Sequence, residues 1–243
     1  MIRTIAAIAL HALTQPPADP EPPLVVAVLA HPDDELPIAP ALAALARQGH
    51  IVRIVHATPG DAGPGVSGLA KGEALAAARR AEADCAGAAL GAGEVINLGF
   101  GDGRLADHMR DGTLAGALSD HVAGADLVLT WGPDGGYGHT DHRLVSAIAS
   151  QIAQALPPDD RPAVWQVGIP AGRLPPVPDM AAWAVSDPAL LTRTIAYTPA
   201  DLAAATKAAQ CHATQFDATT RAGMMALFDA TMWRGAVHFR PAL

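Results

Sequence analysis

The chain has few cations, and none of them are gathered. Sixteen Lys and Arg stand against 24 Asp and Glu, a formal net charge of −8, and no basic run forms a phosphate-binding patch. That excludes nucleic acid as the expected partner. Only two cysteines occur, Cys85 and Cys211, with no C-x-x-C and no histidine at finger spacing, which excludes a structural zinc site of the finger type. Pairing between them is not legible from sequence, and both read as inert buried thiols. No G-x-G-x-x-G or G-K-[ST] loop is present, so a nucleotide-binding sheet is set aside. No internal repeat is apparent. Charged residues make up 16 % and hydrophobic residues 50 %, so nothing suggests disorder. At 243 residues the chain fits one α/β domain with a substantial core.

Long apolar runs are also missing. Thr4 to Leu13 is apolar after Arg3 but too short to span a membrane, and no other segment is longer, so no integral membrane segment is expected. A Pro-rich stretch, Gln15 to Pro23, follows it. Residues 1–23 therefore have the layout of a signal peptide and tether, which makes a periplasmic or secreted protein the expectation. A single basic residue, His11 within the run and the lack of an A-x-A site leave a frayed helix on a cytoplasmic protein as the alternative.

From Leu24 onward strands and helices alternate. Leu24–Ala30 is a continuous β-branched run of the kind buried in a parallel sheet. A helix is expected over Ile38–Gln48, ended by Gly49, and a strand over Ile51–Ala57. A Gly/Pro-rich loop leads to a helix over Glu73–Leu90 ended by Gly91, then a strand over Val95–Leu98. A helix over Thr113–Ala123, a strand over Asp126–Trp131, a helix over Asp141–Leu156 and a strand over Val164–Ile169 complete the alternation. Pro170–Pro188 reads as an irregular cover, and Asp201–Phe216 as a last helix. The expected fold is therefore a Rossmann-like, mostly parallel sheet with helices on both faces.

In such sheets ligands bind at the carboxyl ends of the strands. Two polar clusters fall there. His31-Pro32-Asp33-Asp34-Glu35 follows the first strand, and His139-Thr140-Asp141-His142 follows the fourth. Catalytic zinc takes three N or O ligands and leaves a position open. His31 and Asp34 share a tight turn and His142 opens a helix, so these three are the expected ligands. A metal there ionises water near neutral pH, at a pKa of about 7. Asp33 is the neighbouring carboxylate spared to take the proton. His139 is placed to protonate a leaving amine or stabilise an oxyanion, with Asp141 orienting its imidazole. Each cluster alone has an ordinary explanation: Asp33 or Asp34 caps the next helix, and the histidines are helix-start residues. Positive charge at a helix N-terminus opposes the macrodipole, however, and both clusters share one sheet edge.

Ala30 to Glu35 resembles the signature of the LmbE/PIG-L family of zinc-dependent N-acetylglucosaminyl deacetylases, and Gly136-Tyr137-Gly138-His139-Thr140-Asp141-His142 resembles its second motif. Softer matches run through Arg79-Arg80-Ala81-Glu82 with Leu90-Gly91, Leu98 to Leu105, and Lys207 to Gln215. The resemblance implies a single deacetylase domain over 24–243, zinc held by His31, Asp34 and His142, Asp33 as base, and His139 with Asp141 as acid or oxyanion partner. It also implies that Arg79, Asp102 and Tyr137 line the substrate pocket. The implied substrate is a small molecule or glycoconjugate bearing an N-acetyl or N-acyl amide. A thiol-conjugate amidase on the same scaffold and a non-catalytic sugar- or metal-binding protein are the alternatives. Two His and one Asp also suit Fe2+ or Co2+. The sequence departs from the family pattern at Thr140, at Asp61, at Pro37 and Pro40, and over Pro170–Pro188, where specificity is expected to diverge. It says nothing of oligomeric state.

Overall fold

A seven-stranded sheet of order β3-β2-β1-β4-β5-β7-β6 forms the centre of the computed structural model, which describes residues 21–242. Residues 1–20, most of the expected signal segment, lie outside the described residues. The strands are β1 (Leu24–Leu29), β2 (Ile51–His56), β3 (Glu94–Asn97), β4 (Leu127–Thr130), β5 (Ala163–Val167), β6 (Arg193–Ala196) and β7 (Ala236–Pro241). The first five are parallel, and β7 runs antiparallel to both β5 and β6. β1 sits between β2 and β4 with Val25 to Leu29 at most 2 % exposed, which is why its sequence has no polar alternation.

The chain leaves β1 towards β2 and β3, then returns to lay β4 on the other side of β1. Because parallel crossovers keep one hand, that reversal puts the helices on opposite faces. Helices α1 (Ala39–Arg47), α2 (Glu73–Leu90), α5 (Pro199–Cys211) and α6 (Ala218–Phe228) pack together as one layer, and α3 (Thr113–Val122) packs with α4 (Thr140–Ala155) as another. The reversal also opens a crevice between the carboxyl ends of β1 and β4, where both polar clusters fall.

The expected elements are present within one to three residues, except that α5 is shorter. It starts at Pro199 because Thr198 and Asp201 form a capping box, and it stops at Cys211 because the next residue, His212, turns into a buried hydrogen bond. Pro170–Pro188 is irregular, as expected, with one short 3-10 turn at Pro178–Met180. The sequence reading assigns nothing to β6, β7 or α6. β6 has four residues, one of them buried, and β7 shows its period-two pattern only through Val237 and Phe239.

One expectation is overturned. Cys85 on α2 and Cys211 on α5 form a disulfide rather than two thiols. The two helices lie side by side and bring the Cα atoms to 5.8 Å, inside the range a bridge requires.

Candidate metal centre

The segment after β1 turns sharply. Asp33 takes φ 97°, a backbone region costly for a residue with a Cβ, and its amide donates to the Glu35 carboxylate at 3.0 Å. The turn folds the Asp34 side chain back, so that its Oδ2 accepts from the backbone amides of Ala30 and His31, both at 2.9 Å. Those bonds fix Asp34 with its Oδ1 facing the crevice. Burial opposes its charge, but His142 and His31 outweigh that and hold its pKa well below the ordinary carboxylate value.

From the β4 side, residues 135–138 make one short turn in which Gly136 takes φ 73°, and a Cβ there would lie 2.9 Å from Trp131. That turn delivers His142 to the first turn of α4. Its Nδ1 lies 3.1 Å from the Gly135 carbonyl, and its ring stacks on Trp131 at 4.4 Å and 6°. Because Nδ1 carries the proton to Gly135, Nε2 presents a lone pair. His31 is held the opposite way round: its Nε2 faces Asp102 Oδ1 at 3.0 Å and Asp141 Oδ2 at 3.5 Å, so the neutral ring is favoured with its proton on Nε2 and its Nδ1 towards His142.

Three atoms that become electron-rich donors once both rings are neutral therefore converge. His31 Nδ1 is 3.2 Å from His142 Nε2, His142 Nε2 is 3.0 Å from Asp34 Oδ1, and His31 Nδ1 is 3.6 Å from Asp34 Oδ2. A tetrahedral cation with ligand distances of about 2.0–2.1 Å needs donors separated by about 3.3 Å. The first two separations and the donor set fit that group, while the third runs to the Asp34 oxygen already held by two backbone amides. His31, His139 and His142 bring one ring nitrogen each within 4.8 Å of one another, and donor atoms of His31, Asp102 and Asp141 do the same. His139 stands beside them, its ring 4.7 Å from that of His31 and 4.6 Å from that of His142. In the absence of a cation, Asp102, Asp141 and Asp34 favour a second proton on His31 against the opposing effect of burial, so a cation at Nδ1 takes the place of that proton.

The remaining expected residues take more specific places than the sequence shows. Asp33 is not engaged by the donor trio; its Oδ1 pairs with Arg79 at 3.3 Å. Desolvation and Asp34 push its carboxyl up, Arg79 pulls it down, and the balance stands at about 6. Arg79, 3 % exposed on the buried stripe of α2, also donates to the carbonyls of Pro32, Gly60 and Gly63. It thus braces the Asp33 turn and also lines the small polar cavity beside it. Asp102 likewise points at His31, with its other oxygen accepting from Ala62, and lines the same cavity. The Asp141 carboxylate turns to His31 and accepts from Gly103, so it does not orient His139, whose Nδ1 accepts from the Asp141 backbone amide. His139 is half-buried, and burial with the neighbouring His31 and His142 lowers its pKa. Tyr137 is 46 % exposed at the rim.

A second buried cluster lies behind the turn. Glu35, 1 % exposed, accepts from His212 through Oε1 and lies 3.3 Å from His56 through Oε2. Burial alone would raise its pKa, yet the two histidines drive it far below the ordinary value, while Glu35 in turn raises His212 against its own burial. Sequence reasoning found neither histidine. One ends β2 and the other follows α5, and among ten histidines only the fold pairs them with Glu35. Trp131, the platform under His142, reads in the sequence only as the end of a strand.

Two cavities meet at this centre. A polar one of about 140 Å3 is bounded by His31, Arg79, Asp102 and His139, and an apolar one of about 630 Å3 extends the other way under Trp131, Met180 and Phe228. Asp33, Asp34, Tyr137 and Gln215 line both.

Fold and site together define a Rossmann-like α/β protein with a candidate metal centre at the topological switch of its sheet. Residues 26–153 match the family model PIG-L, GlcNAc-PI de-N-acetylase, over more than half of the sequence, and the chain belongs to this family. Among curated proteins, a 1D-myo-inositol 2-acetamido-2-deoxy-alpha-D-glucopyranoside deacetylase of Nakamurella multipartita is 35 % identical over 166 residues, 56 % of this chain and 55 % of the relative. The chain spans about half the length of the curated relatives it matches. Among solved structures, N,N'-diacetylchitobiose deacetylase of Pyrococcus horikoshii superposes with a TM-score of 0.66 at 19 % identity, covering 91 % of this chain and 84 % of the other. The 4-carboxy-2-hydroxymuconate hydratase GalB of Pseudomonas putida superposes at 0.62 and 17 %, covering 91 % and 95 %. At these identities the likeness shows the fold. One scaffold carries a deacetylase and a hydratase, so the reaction must be argued from the site.

Proposed function

We propose that the protein is a metal-dependent amide hydrolase that removes the acyl group from an N-acylated amino sugar or related amine. The observation that carries the reading is the convergence of His31 Nδ1, His142 Nε2 and the Asp34 carboxylate, beside a carboxylate that ligation leaves over, Asp33. A pure binding site has no use for that extra carboxylate. Zinc is the metal proposed, and the same donors accommodate Fe2+ or Co2+.

A divalent cation bound there supplies Lewis acidity, polarising a carbonyl and ionising a water near neutral pH, at about 7 rather than 15.7. The chain's own groups do the rest. Asp33, poised at about 6, accepts the proton of the attacking water, and Arg79 holds it in place. His139 has a proton on Nε2, because its Nδ1 accepts from a backbone amide, and hydrogen-bonds the departing nitrogen with it while Asp33 returns the proton it took from water to that nitrogen. Asp102 and Asp141 fix the His31 ring, and Trp131 and Gly135 fix that of His142. The net change is cleavage of the C–N bond, with water's oxygen retained on the carboxylate product and both protons going to the amine.

The test is free-amine release from a panel of N-acyl amino sugars by metal-quantified protein, with and without chelator. Asp33→Ala should keep its metal and lose activity by about a hundredfold or more, the scale of a removed general base. Loss of metal from that variant with unchanged turnover per bound ion would refute the assignment of base and ligands.

A further inference from the structure

We propose that the cavity of about 630 Å3 holds the acyl chain of the substrate, so that the protein prefers amides of medium-length alkyl acids to acetamides. This rests on the amide-hydrolase reading above and adds the substrate class.

The cavity begins at Asp33, Asp34 and His142, so whatever fills it is attached to the reacting carbon or nitrogen. Beyond them its walls are Leu36, Pro37 and Trp131 on one side, with Met180, Trp183 and Phe228 facing them. Asp179, Thr219 and Thr220 also line it but are solvent-exposed, so beyond Tyr137 and Gln215 at its inner end the cavity offers little to the hydroxyls of a sugar ring. Burying those hydroxyls unpaired would cost binding, whereas an alkyl chain loses nothing there. An acetyl methyl would leave nearly all of this volume empty.

Which end of the amide enters follows from His139. It lines the small polar cavity and not the apolar one. The departing nitrogen must lie within its reach, so the amine half projects through the polar side among Arg79, Asp102 and Gln215. With the carbonyl carbon at the metal donors, the acyl half is directed the other way. The facing wall comes from Val177–Trp183 and Phe216–Phe228, beyond residues 26–153 that match the family model. The metal centre therefore lies within the shared part of the chain, and the apolar wall outside it.

Gly223 gives access to a selective test. It lines the cavity on α6, is exposed, and a Cβ added there meets nothing within 4 Å. Gly223→Leu therefore adds a branched side chain at the cavity wall, at a position where its Cβ meets nothing, and replaces the poorest non-proline helix former with a good one.

The experiment uses N-acetyl-, N-butyryl-, N-octanoyl- and N-decanoyl-glucosamine, the octyl glycoside of N-acetylglucosamine, and calorimetric titration of the metal-loaded protein with acetate and decanoate. Chain burial should raise kcat/KM about fourfold per methylene up to octanoyl, the equivalent of about 0.8 kcal/mol each. Decanoate should bind at least a hundredfold more tightly than acetate, and Gly223→Leu should cut the octanoyl-to-acetyl ratio at least tenfold. Chelator-sensitive hydrolysis that is flat or falls with chain length would overturn the acyl assignment and leave the hydrolase reading standing. Preference for the octyl glycoside would overturn it in favour of an apolar aglycone. If no amide is cleaved the hydrolase reading fails, and equal affinity for acetate and decanoate overturns the chain site independently of turnover.

Discussion

Asp102→Asn tests the tautomer argument on which the metal centre depends. In the native protein Asp102 Oδ2 accepts from the Ala62 amide at 3.2 Å and Oδ1 faces His31 Nε2 at 3.0 Å. An asparagine would keep its carbonyl on Ala62, because that partner is a donor, and would turn its NH2 towards His31. Two N–H groups cannot face each other, so the His31 proton is driven to Nδ1. There it points at His142 Nε2, 3.2 Å away, into the space where the metal donors converge. Binding a cation must then reverse the tautomer against the new amide. Outer carboxylate partners of metal-bound histidines are worth 10–100-fold in metal affinity, about 1.4–2.7 kcal/mol. Asp141 remains 3.5 Å from the same nitrogen and retains part of the native preference. The single variant should therefore lose roughly tenfold in zinc affinity, and Asp102→Asn with Asp141→Asn roughly a hundredfold. Competition with a chromophoric chelator measures both, with thermal unfolding as a check that the fold is intact. Wild-type affinity in the folded double variant would refute the proposition that His31 presents a bare Nδ1.

Two further outcomes concern stability. Glu35→Ala should cost about 3–5 kcal/mol, because it leaves His212 and His56 buried without their carboxylate, and should lower Tm by roughly 6–20 °C; a shift under 2 °C in a calorimetric scan would show that the cluster is not a stabilising charge pair. Reducing the Cys85–Cys211 bridge, which closes 126 residues, should remove about 4–5 kcal/mol on the chain-entropy account, read as a lower urea midpoint in dithiothreitol. An unchanged midpoint with thiol titration proving reduction would show that the bridge adds no stability.

The chemistry-bearing part of the site is legible in the sequence because it is local. His31, Asp33 and Asp34 fall within one turn after a strand whose apolar run marks it as central, and His139 to His142 open a helix after another. A parallel sheet brings those two loops to one edge, whatever else the chain does. What the sequence does not carry is which carboxylate faces which ring. Asp141 is two residues from His139 and one from His142, yet its side chain meets His31. The Asp102 carboxylate, from the loop after β3, reaches the same ring across the position of β2. Such pairings depend on strand order and loop length together, and no spacing rule encodes them. The disulfide is of the same kind: 126 residues separate two cysteines that only the packing of α2 on α5 makes neighbours. The apolar cavity lies furthest from local pattern. Its wall joins an irregular Pro-rich segment to a helix whose faces are weakly distinguished, and neither announces a core until the other lies against it. The residues of the candidate metal centre sit at the switch of the sheet, where topology alone collects them. The apolar cavity wall comes from covering segments, whose place the sheet does not dictate.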